Sequence, residues 1–321
     1  MSSAASTTLA PGRRLGSRIG DLLLYGITGA AAIGAVALLV AIAIKVIDGS
    51  RLAYDKFGLG FVTDQVWDPV KNQFGALAFI YGTAITSFFT LLIATPLAVA
   101  IALYLTELAP RGARDIIGSL VEMLAAVPSV ILGLWGILVL GPIVADHIEP
   151  FLHRWLGFLP LFQGSPSNSG YLPAVIVLTI MVVPIVASVS RELFLSVPPE
   201  MKEGAYALGM TRWEVVRGVI LPHAGPGIAA AVILGLGRAI GEAIAVTQVI
   251  GNIVQIKTSL FAEGVTLGSQ IAAQYQGATS NLQISALIYL GAIMLVFSLI
   301  VNVIAQLIVR RFDLQRAGGV Q

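Results

Sequence analysis

Long uncharged apolar runs recur six times in this sequence, and no other feature limits its fold as strongly. Crossing the hydrocarbon of a bilayer as a helix takes roughly 20 apolar residues. The runs at 22–44, 77–106, 171–190 and 284–309 reach that length without one Asp, Glu, Lys or Arg. The run at 116–145 carries Glu122 near its start, and the run at 227–251 is interrupted by Arg238 and Glu242. Residues 264–283 are also uncharged, but Gln270, Gln274, Gln276 and Asn281 make them too polar, so the last span starts at Ile284. Only 11% of the 321 residues are charged, against about 25% in soluble domains. A water-soluble globule and a disordered chain are both excluded. The expected fold is an all-α membrane protein with six transmembrane helices.

Lysine and arginine placement orients the spans. With the N-terminus cytoplasmic, the inner segments hold twelve of them: Arg13, Arg14, Arg18, Arg111, Arg114, Arg191, Lys202, Arg212, Arg217, Arg310, Arg311 and Arg316. The outer segments and span ends hold six, Lys45, Arg51, Lys56, Lys71, Arg154 and Lys257, and Arg238 is left inside the membrane. Both termini are therefore expected in the cytoplasm, as tails at 1–20 and 311–321 around a single transmembrane domain at 21–310. The first span is too long for a signal-peptide core and lacks a small-residue cleavage site after it, so it stays as a helix. A net charge of +2 is too small to draw nucleic acid, and membrane lipid is the expected surrounding. The absence of cysteine removes disulfides, thiolate metal sites and cysteine nucleophiles. His147, His153 and His223 are scattered, and no metal site is expected.

The outer loops, about 46–76, 146–170 and 252–283, carry turn signals such as Trp67-Asp68-Pro69 and Gly164-Ser165-Pro166. The inner loop at 191–226 differs, being long and of mixed charge. Pro198-Pro199 opens a short helix over Glu200–Ala207, where a proline's missing N–H has no partner to lose. Gly209 breaks it, and a second short helix runs to Leu221-Pro222. Within this loop Glu203-Gly204-Ala205, three residues, Gly209, nine residues and Val219-Ile220-Leu221-Pro222 resemble the EAA loop of ABC-transporter permeases. The resemblance implies a coupling helix that docks in a groove of a separate ATPase. Gly204 stands where that pattern has Ala, which lowers helix propensity by about 1 kcal/mol. An ordinary helical hairpin between two spans is the alternative.

No ATPase is encoded here. Gly251–Thr258 has the outline of a phosphate loop, but Ile256 stands where the motif needs Gly, and the segment leaves a span on the outer side. Gly235–Gly241 has one residue too many for a dinucleotide loop and sits inside a span. No enzymatic motif remains, so a transport role is expected, with no catalytic residue and no cofactor bound by this chain.

Arg238 and Glu242 are four residues apart, on one face of a helix near the middle of the fifth span. An Arg there costs at least about 2.5–3.5 kcal/mol on insertion scales, so it must face protein or a wet path. Two readings stand. Arg238 offers a planar fork of donors to an oxyanion crossing the bilayer, with Glu242 holding it and limiting trapping. Otherwise the two form a structural ion pair at a helix interface. Gly237 and Gly241, with Gly235, make a thin face suited to close helix approach. Thr83, Ser87 and Thr90 form a polar stripe on the second span, of the kind that mostly bonds between helices. Pro96, Pro128 and Pro184 permit bends. Glu122 sits either near the cytoplasmic interface or deeper, where it needs a partner.

Longer stretches are similar to the PstC family of phosphate-specific permease subunits in ABC importers. They are Phe74-Gly75-Ala76-Leu77-Ala78-Phe79-Ile80-Tyr81-Gly82-Thr83, Leu236-Gly237-Arg238-Ala239-Ile240-Gly241-Glu242-Ala243 and Val249-Ile250-Gly251-Asn252. The resemblance covers about residues 20–315. It implies a type I importer permease in the bacterial inner membrane, paired with a PstA-like second permease. It further implies two PstB-like ATPase subunits that hold ATP and Mg, and a PstS-like extracytoplasmic phosphate-binding protein. Arg238 and Glu242 match charged positions of that family's path for inorganic phosphate. A permease for sulfate, molybdate or phosphonate, and an ATP-independent anion channel or carrier, are the competing readings.

Overall fold

A computed structural model describes residues 15–317, with side chains described over 20–110 and 112–309. Arg13 and Arg14 lie outside the described residues, as do the side chains of Arg18, Arg111, Arg310, Arg311 and Arg316 and most of both tails. Residues up to Asp48 form one unit and Gly49 onward a second. Among the described residues, six helices are long and apolar enough to cross a bilayer, so this is a multi-pass membrane protein.

The chain runs α1 (Leu15–Phe57), α2 (Leu77–Leu108), α3 (Arg111–Ala125), α4 (Ser129–Leu156), α5 (Tyr171–Leu195), α6 (Pro199–Ala207), α7 (Arg212–Gly241), α8 (Ile244–Val249), α9 (Leu267–Gln274) and α10 (Asn281–Ala317). A hairpin of β1 (Trp67–Asp68) and β2 (Gln73–Phe74) fills the first outer loop. At about 1.5 Å per residue, the 43 residues of α1 run about twice the thickness of the hydrocarbon layer. Only its uncharged part, 22–44, fits within that layer.

Two predicted spans shift. The third is α4, at 129–156 rather than 116–145. Residues 111–125 form the separate amphipathic α3, because Pro128 disfavours helical geometry at Val127. The fifth begins at Arg212 and ends at Gly241 instead of spanning 227–251. The segment after it turns through Gly251 and Asn252, both at positive φ. The inner loop therefore shrinks to about 196–211, and the second short helix predicted there is the first part of α7.

Proline accounts for how the longer helices continue. π-helical turns occupy Tyr104–Leu108, Gly136–Leu140, Val144–Ile148 and Val216–Ile220. Each precedes a proline by two residues: Pro110, Pro142, Pro150 and Pro222. A proline cannot bond the carbonyl four residues back and its ring crowds it. In all four cases that carbonyl lies in the widened turn; the helix carries on past Pro142, Pro150 and Pro222, whereas α2 stops at Leu108 and Ala109 and Pro110 are extended.

α5 is the central helix, 72% buried over its most apolar window. Its first half, with Tyr171, Val177 and Leu178, packs in one cluster with Leu132 and Val144 of α4 and Val246 and Val249 of α8. Its second half meets Ala94 and Ala98 of α2 and Ala231 and Ala239 of α7. Small residues set the close approaches. A Cβ on Gly133 of α4 would lie 2.8 Å from the Ala245 backbone, and one on Gly264 would strike the Tyr171 ring. Gly264→Val is expected to destabilise the fold by about 1–3 kcal/mol through overpacking, read as a lowered thermal midpoint in detergent. An unchanged midpoint would contradict this packing.

Candidate functional site

The last turn of α7 carries Arg238, and the helix stops at Gly241. Glu242 is already extended, at φ −74° and ψ 121°, and α8 restarts at Ile244. The sequence places Arg238 and Glu242 on one continuous helical face; the structure breaks the helix between them. The break has a local cause. Glu242 Oε1 accepts the Ala245 N–H at 3.2 Å, so its side chain caps the restart rather than extending the helix. Gly268 of α9 lies against the break, where a Cβ would sit 3.1 Å from the Glu242 carbonyl oxygen. The Ala243 carbonyl accepts both the Thr247 N–H, at 2.9 Å, and the Thr247 hydroxyl, at 2.7 Å. Irregular backbone at such depth survives because protein groups satisfy it.

Across the break, Arg238 Nη2 stands 3.9 Å from Glu242 Oε2. The contact is loose, and the two side chains differ in exposure: 39% for Arg238 and 9% for Glu242. Glu242 is held from two sides, whereas the guanidinium projects from an open face with Leu234, Gly241 and Ile244. Cβ atoms built on Gly237 and Gly241 would meet nothing within 4 Å. Gly235 alone of the three serves close packing among the described residues: a Cβ there would lie 2.8 Å from Val186 and 2.9 Å from Val182 of α5. Within the unit from Gly49 onward, the thin face at 237 and 241 is therefore unoccupied by the described residues.

The stripe on α2 faces the other way. Thr83 is buried and accepts the Leu267 N–H of α9 at 2.9 Å, which makes it an interhelical tie. Ser87 and Thr90 are buried below it. Glu122 does have a partner, Arg191 Nη1 at 3.3 Å, joining α3 to the end of α5.

On α6 the predicted docking residues divide between two faces. Glu203 and Gly204 are exposed, with open space around Gly204. Ala205 is 6% exposed and packs inward with Ala102, Phe194, Val215 and Ile220. Gly209 takes φ +81°, the left-handed geometry that suits glycine after a helix. Leu221 and Pro222 lie within α7 rather than in a loop. Tyr206, Leu208 and Trp213 add exposed apolar surface beside Glu203.

Sequence reasoning missed several residues that shape these sites. Thr266 and Ser269 form a capping box that starts α9, a pattern hidden because Ser stands where Glu or Gln is usual. Glu149, fully buried, accepts the Ser167 N–H at 2.9 Å and ties the outer loop to α4. The predicted span stops at residue 145, before Asp146, yet the helix continues through Glu149.

The chain matches the model of the family described as "Binding-protein-dependent transport system inner membrane component" over residues 76–314, from the start of α2 into α10. It is 43% identical over 297 residues to the phosphate transport system permease protein PstC of Mesorhizobium japonicum, covering 91% of each chain. It is 42% identical over 310 residues to the protein of that name from Pasteurella multocida, covering 95% of this chain and 97% of that one. The chain belongs to the PstC family. Among solved structures, the permease resembles a chain of a bacterial alginate ABC transporter crystallised with an alginate pentasaccharide-bound periplasmic protein. That likeness has a TM-score of 0.58 at 20% identity and covers 94% of this chain and 98% of that one, and it concerns the fold. This permease is thus an ABC-importer membrane subunit, a transport component and not an enzyme. Its first helix precedes the part matched by the family model.

Proposed function

We propose that this permease forms half of the transmembrane path for inorganic phosphate in an ATP-driven importer. The observation that carries the reading is Arg238, 39% exposed on a face of α7 left open by the described residues of the unit from Gly49 onward, beside a break in a membrane helix. A guanidinium there is not paid for by its loose contact with Glu242, so the face belongs against a second permease across a wet path rather than against lipid. Broken helices with irregular backbone near the membrane's middle are a recurring way to build such sites.

Arg238 attracts the anion with several donors in one plane. Glu242, capped onto α8, offsets part of the guanidinium's charge, so phosphate is held less tightly and trapping is limited. The relatives' shared name supports phosphate as cargo. The exposed side of α6, with Glu203 and Gly204, is the docking surface for one of two ATPase subunits, the second permease docking the other, and Gly209, Leu221 and Pro222 set its geometry. ATP and Mg belong to those partners, where hydrolysis supplies the energy that switches access. A phosphate-binding protein docks on the outer loops. The lysine and arginine bias puts both termini in the cytoplasm of a bacterial inner-membrane protein.

Proteoliposomes holding the purified complex test the reading. Radiolabelled phosphate is expected to accumulate only with ATP and loaded binding protein, and sulfate in excess is expected to leave uptake unchanged. Accumulation without ATP would favour a channel or carrier. Strong inhibition by sulfate would favour a different oxyanion.

A further inference from the structure

Lys202 sits on the inward side of α6, one turn before the buried Ala205. Its Nζ donates to Glu107 Oε1 at 2.7 Å and reaches the Phe194 carbonyl at 3.4 Å. Glu107 belongs to the π-helical turn that ends α2, 95 residues earlier in the chain. Both side chains are shielded, 20% and 18% exposed, so solvent and salt screen this pair less than an open surface pair. Alongside it lies an apolar cavity of about 300 Å³, bordered by Glu107 itself, Leu103, Leu108, Tyr206, Arg212 and Trp213. The charge-assisted bond adds to the packing of Ala205 in one cluster with Ala102 in joining α6 to the end of α2.

The far end of α2 is tied in turn. Thr83 accepts the Leu267 N–H at 2.9 Å, and Gly268, the next residue, lies against the Glu242–Ala243 backbone. A single helix of 32 residues thus has the docking helix bonded to one end and the Arg238–Glu242 break packed near the other.

We propose that Lys202 and Glu107 are positioning residues that pass movement of α6 into α2, and through Thr83 to the helix break at Glu242. The inference rests on the functional reading above and adds residues to it. Contiguity alone does not demonstrate coupling, so the test measures coupling itself.

The assembled complex with its ATPase and binding protein is reconstituted with wild type, Lys202→Met, Glu107→Gln, Lys202→Arg and the reciprocal pair Lys202→Glu with Glu107→Lys. Two quantities are read: basal ATP hydrolysis, and phosphate moved per ATP hydrolysed. Lys202→Met and Glu107→Gln are expected to keep assembly and basal hydrolysis while phosphate per ATP falls about tenfold, the scale of an allosteric coupling. Lys202→Arg keeps the charge and is expected to hold the wild-type ratio, and the reciprocal pair to recover most of it. An unchanged ratio in both neutral variants overturns the proposal. So does a Lys202→Arg ratio as low as that of Lys202→Met, or loss of assembly in both neutral variants, which would mark a purely structural tie. A wild-type complex that moves no phosphate with ATP would instead overturn the functional reading, and this inference with it.

Discussion

Replacing Arg238 by Gln is expected to abolish phosphate uptake while leaving the permease inserted and assembled. Gln keeps some hydrogen-bonding capacity but loses the positive charge and the five-donor fork. A charge focused into a cleft raises the entry of an oppositely charged ligand by about 10–10³, and that gain goes with the charge. Assembly should survive, because Arg238 makes only the loose 3.9 Å contact to Glu242, and Glu242 keeps its bond to Ala245 without it. The insertion cost of an Arg within a span disappears in the variant, so inserted yield should hold or rise. Arg238→Lys retains charge without the planar fork and is expected to fall between the two. Radiolabelled uptake and co-purified partner yield, measured on one preparation, separate the outcomes. Normal uptake by Arg238→Gln would remove Arg238 from the path, and loss of assembly would favour the structural ion pair.

The second large effect is expected at Glu203. Its exposed position on α6, beside the open Gly204 and a rim of Tyr206, Leu208 and Trp213, suits it to contact a partner and leaves it little to do within this chain. Glu203→Lys is expected to cut the ATPase recovered with the tagged permease by more than about tenfold, since a misplaced charge at an interface costs several kcal/mol. The permease's own thermal midpoint should not move. Ala205→Leu should do the reverse, lowering the midpoint by crowding Phe194 and Ile220 in the buried cluster. Equal ATPase recovery with Glu203→Lys would contradict the docking role.

Much of the architecture is legible in the sequence, because uncharged runs of bilayer length have few other fates. The failures have physical causes. Ile116–Ala125 and the run after Pro128 are both apolar enough to join in a hydropathy reading, and only the proline between them separates α3 from α4. Asp146, His147 and Glu149 look like a loop, yet π-helical turns carry α4 through them. The spacing of Arg238 and Glu242 identifies the charged pair but assumes an unbroken helix. What breaks it, the Glu242 cap on Ala245 and the approach of Gly268, depends on residues that sequence spacing does not connect. The Lys202–Glu107 bond is invisible for the same reason, since each residue alone reads as an inner-surface charge.

Accessibility of the open α7 face tests the central claim most directly. The chain has no cysteine, so Gly241→Cys introduces a single thiol at a position with free space around it. In the assembled, reconstituted complex, that thiol is expected to react with a small membrane-impermeant reagent. Phosphate in excess should slow the labelling, and ATP should change its rate as access switches. A thiol that is inert in every nucleotide state, or whose labelling phosphate and ATP leave unchanged, would contradict a phosphate path along the Arg238 face.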